Sequence, residues 1–477
     1  MLYPVRSALR RPSWQNTVTN MSLVSSNIDS LFSAFSGASP GCAIGLVRDG
    51  EPILSVGYGM ADLEHGVPFT PGSVCYLASV SKQFTAFTTL LLVDDGKLAL
   101  DECVKSIIPE LPDCASDINI RHLLTHTSGL RPYGVLGYLS GLHSEHPYSE
   151  DDIIRFVSRH ETLDFEPGKE YMYSNTGYVL LSIIVKRVTG QTLDEVAREK
   201  IFNPLGMKVS RFHHDHSALI ANKAHGYQRR AGAWHTSNSM LDVVGDGGMY
   251  SSVEDMLLWM KNFERPTVGA QALKLMQTEA ILDNGEGTGY GMGLGPVQWR
   301  GLRTVGHSGS LGGYRAMFRA FPSEKTSIVV LCNSGEEDAS KLVAQVAEVF
   351  LSSRMVRPPD LSPKSPDPSP TSRESPAIDP APVGAATPEK ASESDLVGDY
   401  ESRELLKTYS VAWSPEGLTI VADGFPAQRL QSVADDRMRF GDVDIEIQFH
   451  RDQDQKPTGF SLSWNAGRLK NLRFRRL

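Results

Sequence analysis

The chain has 477 residues, 40% hydrophobic and 22% charged, enough for two or three soluble globular domains, each with its own core. Its formal net charge of −9 argues against a nucleic-acid partner, because phosphate binding requires a basic surface. No apolar run approaches the roughly 18 residues of a membrane-spanning helix; the longest, Tyr178 to Val185, ends at Lys186-Arg187.

Met1 to Asn20 carries Arg6, Arg10 and Arg11 with no apolar stretch behind them, so residues 1–21 are expected to be a loose arm rather than a secretory signal. The five cysteines are widely spread with no C-x-x-C pair, a pattern that fits reduced thiols and a cytoplasmic location. Cys42 to Arg48 and Pro52 to Tyr58 are predicted strands joined at Asp49-Gly50, a hairpin signal. A helix is expected next, with Val80, Phe84, Phe87 and Leu91 along one face and Gly96 as its stop. His122 and His126 are four apart, but no third ligand accompanies them, so they fit a helix end and loop near a site better than a metal pair. The cluster His213, His214, Asp215 and His216 falls in a polar stretch and is expected to be a solvated loop.

After the turn Glu166-Pro167-Gly168, a helix is predicted from Gly177 to Val188, closed by Gly190. Gly245 to Tyr250 is a glycine-rich turn, and Ser251 with Glu254 suggests a capping box for a helix to Met260. The glycines between 289 and 295 do not match a nucleotide-binding fingerprint and are expected in loops or strands. Strands are predicted at Thr304 to Gly306, Tyr314 to Phe321 and Thr326 to Cys332, then a helix from Ala339 to Leu351. The first and last strands would share one antiparallel sheet with a helical lobe between them, an α+β fold.

Composition then shifts: Met355 to Ser394 holds ten of the 28 prolines, the mark of an extended linker. Beyond it, alternation at Tyr409, Val411, Trp413, at Val443 to Phe449 and at Phe460, Leu462, Trp464 predicts a small antiparallel β domain, a barrel being one form it can take. The expected division is an arm 1–21, a catalytic part 22–353, a linker 354–394 and a β domain 395–477.

The chemistry is concentrated in three short motifs. Ser79-Val80-Ser81-Lys82 sets a hydroxyl and an amine one helical turn apart, a nucleophile beside a possible base at a helix N-terminus. About one or two such spacings arise by chance in a chain of this length, so the motif needs company. Tyr173-Ser174-Asn175 offers a phenol that can pass protons and an amide that can hold a carbonyl. His307-Ser308-Gly309 offers a strand edge that the glycine leaves open to a substrate backbone.

These motifs, in this order, resemble the serine β-lactamase and penicillin-binding protein superfamily, in its class C-like branch of β-lactamases, DD-carboxypeptidases, esterases and D-aminopeptidases. The resemblance covers about residues 40 to 352. The contexts Ser79 to Thr85 and Phe165 to Gly168 look most like the D-aminopeptidase group, which also carries β-barrel domains. The resemblance implies that Ser79 is acylated, that Lys82 and Tyr173 share the base and acid work, and that Asn175 orients substrate and Lys82. It implies an oxyanion hole from the N–H groups of Ser79 and Ser310, with His307 and Gly309 on the substrate side, and neither metal nor cofactor.

Where the β-lactamases carry Lys-Thr-Gly, this chain has His307-Ser308-Gly309, so a fixed cation for a substrate carboxylate is missing. That favours small-molecule or short-peptide substrates such as D-aminoacyl amides or simple esters over penicillins. A β-lactamase, a DD-carboxypeptidase, an acyltransferase and a non-catalytic sensor remain open, as does an α/β-hydrolase built on Gly306 to Ser310. Arg315 is a possible alternative cation. The sequence leaves the oligomeric state open.

Overall fold

The computed structural model describes residues 26–356, apart from 36 and 143–145, and residues 393–477, apart from 416 and 441–443. The expected arm 1–21, nearly all of the expected linker and the start of the Val443 pattern lie outside the described residues. The described residues form two compact units, one from those within 1–100 and 178–372 and the other from those within 101–177 and 373–477.

The first unit is built on a six-stranded antiparallel sheet. Its order is Gly295–Trp299, Leu302–Leu311, Tyr314–Phe321, Thr326–Cys332, Cys42–Arg48, Glu51–Tyr58. The N-terminal hairpin thus pairs with the last strand of the family-like region, as the shared-sheet expectation requires. Alternation along Cys42–Arg48 gives the sheet two apolar faces. Ile44 and Leu46, with Ile328 and Val330, pack against Val343, Val346 and Ala347 of the helix Ala339–Leu351. On the other face Gly45 lies against Val253 and Leu257 of the helix Val253–Glu264, so close that a Cβ there would stand 2.8 Å from Val253 Cγ1. Each fully buried side chain of this kind contributes about 1.5–3 kcal/mol.

Three local expectations are corrected. The helix Val253–Glu264 is capped by Ser252, whose hydroxyl accepts from the Asp255 N–H, one residue later than the expected Ser251. Ser251 instead ends a short strand. The strand expected at Thr304 to Gly306 runs over Leu302–Leu311, because hydrogen-bonded neighbours on both sides hold residues that look like loop formers. Cys42 and Cys332 are joined in a disulfide, against the expectation of reduced thiols. They face each other across adjacent antiparallel strands with a Cα–Cα separation of 4.1 Å, although 290 residues separate them in the chain. Sequence spacing therefore gave no sign of the pair, and the argument from cysteines for a reducing compartment falls away. Among the described residues no helix is long and apolar enough to cross a membrane.

The second unit combines the helices Val104–Ile107, Ile120–Leu124, Tyr133–Leu139 and Glu150–Val157 with a closed eight-stranded barrel between Gly398 and Arg476. Every barrel strand pairs antiparallel with its chain neighbour, and Tyr400 opposite Arg476 closes the ring. Closure removes the exposed edges that an open sheet would present. The interior is filled by aromatic side chains: ring centroids of Phe460 and Phe474 are 4.4 Å apart, and those of Tyr409 and Phe474 4.8 Å. Tyr409 and Val411 point inward as expected, but Trp413 is 53% exposed, since the alternation breaks near the strand end.

The barrel is seated on the helical segment by a buried polar cluster. The Arg131 side chain is fully buried, with Nε 3.1 Å from Asp164 Oδ1 and Nη1 3.1 Å from Glu404 Oε2. Arg131 also donates to Thr162 and, at 3.3 Å, to the Lys470 carbonyl, while the Lys470 N–H donates to Asp164 Oδ1 at 3.1 Å. Burial pushes Asp164 up to about 7 despite the opposing pull of Arg131. Burial also holds His160 down at about 3, so its Nδ1–H donates to the Phe156 carbonyl and its Nε2 accepts from the Arg131 N–H.

Candidate active site

Ser79 lies in a short 3-10 turn, Ala78–Ser81, that feeds directly into the helix Lys82–Asp94. The expected helix face is present: Phe84 and Phe87 pack on Trp259 at 4.7 and 5.0 Å between centroids, and Trp259 Nε1–H donates to Gln83 Oε1 at 2.8 Å. Gly96 follows the helix at φ +70°. From Ser73 to Leu90 every residue is buried except Ser79, so the turn opens only at that hydroxyl. Ala78, just before it, is held at φ +47°, a conformation that non-glycine residues seldom adopt and that clusters at functional sites.

The tight turn and the first helical turn bring Lys82 Nζ to 3.2 Å from Ser79 Oγ. The ammonium also donates to the Asp246 carbonyl at 2.5 Å and lies 5.5 Å from the centre of the Tyr178 ring. Asp246 was missed by sequence reasoning, although it sits in the glycine-rich turn already noted. That turn wraps the nucleophile helix: Thr85 Oγ1 donates to the Gly245 carbonyl at 2.7 Å, the Leu77 N–H to the Met249 carbonyl at 2.9 Å and the Gly248 N–H to the Tyr76 hydroxyl at 2.9 Å. The signal available was a run of glycines whose carbonyls can approach a helix closely. Burial pushes the Tyr76 phenol up to about 12, so it stays protonated as a structural partner.

The strand Leu302–Leu311 lies alongside. Gly309 lies against the turn that carries Ser79: a Cβ there would stand 2.2 Å from the Leu77 carbonyl oxygen and 3.2 Å from Ala78 Cβ. The glycine lets the strand back onto the nucleophile turn. Ser308 is half-buried and Ser310 exposed, while His307, on the opposite strand face, is only 2% exposed. Its Nδ1 is 2.6 Å from the Ser308 carbonyl and its Nε2 3.1 Å from the Tyr290 hydroxyl. Burial, and next the charge of Lys82, push the imidazole down to about 3. His307 is thus a neutral ring packed against Tyr290. The Arg315 guanidinium donates to the carbonyls of Gly312, Tyr314 and Gly335.

Tyr173 and Asn175 belong to the second unit. Tyr173 is buried and its ring centroid lies 4.2 Å from that of His126. His126 is itself buried at φ +58°, and its Nδ1 accepts from the Ser174 N–H at 3.2 Å. His122 completes a capping box with Asn119 at the start of Ile120–Leu124. The two histidines therefore serve a helix end and a loop packed on Tyr173, as expected. Asn175 opens the helix Asn175–Thr189 and is the one half-open residue between Tyr173 and Gly177. Thr176 beside it donates to the Arg131 carbonyl at 2.6 Å and accepts from the Tyr133 N–H at 2.9 Å. In the His213–His216 loop, His216 pairs with Asp242 at 2.9 Å.

Comparison with known proteins bears on this arrangement. A family model described as Beta-lactamase matches residues 28–350. A D-aminopeptidase of Gluconobacter oxydans (strain 621H) is 30% identical over 296 residues, 62% of this chain and 56% of that protein. The chain thus aligns with little more than half the length of that relative. An octameric penicillin-binding protein homologue from Pyrococcus abyssi superposes with a TM-score of 0.62 at 23% identity, covering 95% of this chain and 99% of that one, a likeness of fold. The D-amino acid amidase from Ochrobactrum anthropi SV3, complexed with L-phenylalanine, superposes with a TM-score of 0.58 at 25% identity over 70% of this chain and 99% of that one.

Proposed function

Since the chain belongs to the Beta-lactamase family, we propose that it is a serine hydrolase that forms an acyl-enzyme on Ser79 and acts on D-amino-acid amides, short D-peptides or small esters. The observation that carries this reading is the Lys82 ammonium 3.2 Å from the one open hydroxyl of an otherwise buried turn. The names of the D-aminopeptidase and D-amino acid amidase relatives support the substrate class.

In this reading Ser79 Oγ attacks the scissile carbonyl and its proton passes to Lys82, neutral at that step, with Tyr173 as the partner that returns a proton to the leaving amine. The N–H groups of Ser79 and Ser310 hold the oxyanion, and Asn175 holds the substrate amide. Positioned proton transfer of this kind is worth about 10²–10⁴ in rate, and each oxyanion donor about 10²–10³. Water then resolves the acyl-enzyme. The neutral, buried His307 leaves no fixed cation at the position where a penicillin carboxylate would be met, which favours uncharged amides and esters. Residues 22–353 would form the catalytic part and 395–477 an accessory β domain.

One preparation assayed with D-alanine amide, a p-nitrophenyl ester and a cephalosporin tests the proposal. The amide and ester should turn over faster than the cephalosporin. A fluorophosphonate should label Ser79, and Ser79→Ala should abolish both labelling and turnover. Labelling at Ser308 would overturn the assignment, and an adduct that never turns over would mark a sensor instead.

A further inference from the structure

We propose that Arg468, carried by the barrel, is a positioning residue for Tyr173, so that the barrel supplies part of the proton-transfer apparatus. This rests on Tyr173 being a proton-transfer group, as in the reading above. Arg468 sits in the turn between the barrel strands Pro457–Trp464 and Leu469–Arg476, at φ +54°, with its N–H bonded to the Asn465 carbonyl at 3.0 Å. From there its guanidinium lies 4.7 Å from the centre of the Tyr173 ring, and Nη1 donates to the Tyr173 carbonyl at 3.4 Å. One side chain thus holds both the backbone and the ring of the same tyrosine.

The described neighbours of Tyr173 in this unit include an imidazole ring, a second phenol and one ion pair. The His126 ring, 4.2 Å away, accepts through Nδ1 from the Ser174 N–H, which requires an unprotonated nitrogen there. Tyr171 meets His126 edge-on at 6.2 Å. Glu170 is paired with Lys470 at 2.6 Å. Arginine keeps its charge at every working pH, and a cation beside a phenol favours the phenolate. A planar guanidinium on an aromatic face also restricts where the ring can turn.

The turn that carries Arg468 is anchored. Two residues on, the Lys470 N–H donates to Asp164 at 3.1 Å and its carbonyl accepts from Arg131 at 3.3 Å, inside the buried cluster that seats the barrel. The cluster therefore fixes the distance between Arg468 and Tyr173, and barrel docking and tyrosine geometry are set together.

The test uses the full chain and an uncharged ester or amide substrate. Arg468→Gln keeps length and polarity but removes the charge, Arg468→Lys keeps the charge, and Tyr173→Phe removes the phenol. Arg468→Gln should lower kcat about 10-fold with little change in KM, and move the alkaline limb of kcat/KM upward by about half a pH unit, because a phenol that must give a proton is then lost only at higher pH. Arg468→Lys should recover most of both effects. If Arg468→Gln leaves kcat and the pH limb as in wild type while Tyr173→Phe inactivates, Arg468 only packs, and the proposal is wrong. If Arg468→Gln changes KM alone, or if Arg468→Lys behaves like Gln, charge-dependent positioning is likewise overturned. Wild-type activity in Tyr173→Phe would instead overturn the proton-transfer reading itself. Thermal unfolding of each variant separates these outcomes from loss of fold.

Discussion

Lys82 in the first unit and Arg131 in the second are both fully buried cations, and their surroundings differ in kind. Lys82 reaches a hydroxyl, a backbone carbonyl and an aromatic face. Arg131 reaches two carboxylates, Asp164 and Glu404. Dipoles stabilise a charge without neutralising it, which suits the proton exchange with Ser79 proposed for this amine. Carboxylates bind a guanidinium that never gives up its proton, which suits a structural anchor. Under the proposed function, the difference between lysine and arginine is therefore the difference between proton transfer and attachment.

The strongest way to break this contrast is to make the first cation like the second. Lys82→Arg should lower kcat/KM by about 10³-fold or more, because a guanidinium cannot serve as a base. Steady-state assay beside circular dichroism checks it; a folded variant with near-normal turnover would mean Lys82 supplies only charge.

Next in size is removal of the anchor. Arg131→Met should lower stability by about 3–5 kcal/mol, since Asp164 and Glu404 are left buried without their cation. The loss should be larger at pH 8 than at pH 5, where both carboxyls, already raised by burial, can take up protons. Urea unfolding at the two pH values measures it, and an equal loss at both would assign the effect to packing.

A third cation can be introduced. His307→Lys places an ammonium in the buried position beside Tyr290, near enough to Lys82 for its charge to act there. The expected result is a stability loss of about 3 kcal/mol rather than a change in substrate preference. A variant of wild-type stability that gains activity on carboxylate-bearing substrates would show that the ring can turn outward.

The smallest effect sharpens the anchor. Asp164 has a folded pKa of about 7 against an ordinary 3.8. A carboxyl raised on folding favours the folded state most below its unfolded pKa, and that advantage is lost as pH rises through the folded value. The stability of wild type minus that of Asp164→Asn should therefore fall by about 2–3 kcal/mol from pH 5 to 7, at about 1.4 kcal/mol per unit. A flat difference would mean that Arg131 keeps Asp164 ionised throughout.

Much of this protein is legible in the sequence because the signals are local. Short apolar runs bounded by turn residues place the strands Cys42–Arg48, Tyr314–Phe321 and Thr326–Cys332, and a four-three-four spacing places the helix after Ser79, since each pattern follows from the geometry of one element. The Ser79–Lys82 contact is legible for the same reason: one turn of chain brings the two together whatever surrounds them. What only the tertiary structure decided involves residues far apart in the chain. The Cys42–Cys332 bond joins residues 290 apart. The Asp246 carbonyl on Lys82, the burial of His307 against Tyr290, the backing of Gly309 onto Leu77 and the reach of Arg468 to Tyr173 all depend on how separate elements pack. The side-chain types hardly indicate these contacts: a backbone carbonyl is present at every residue, and burial is a property of neighbours, not of the residue buried.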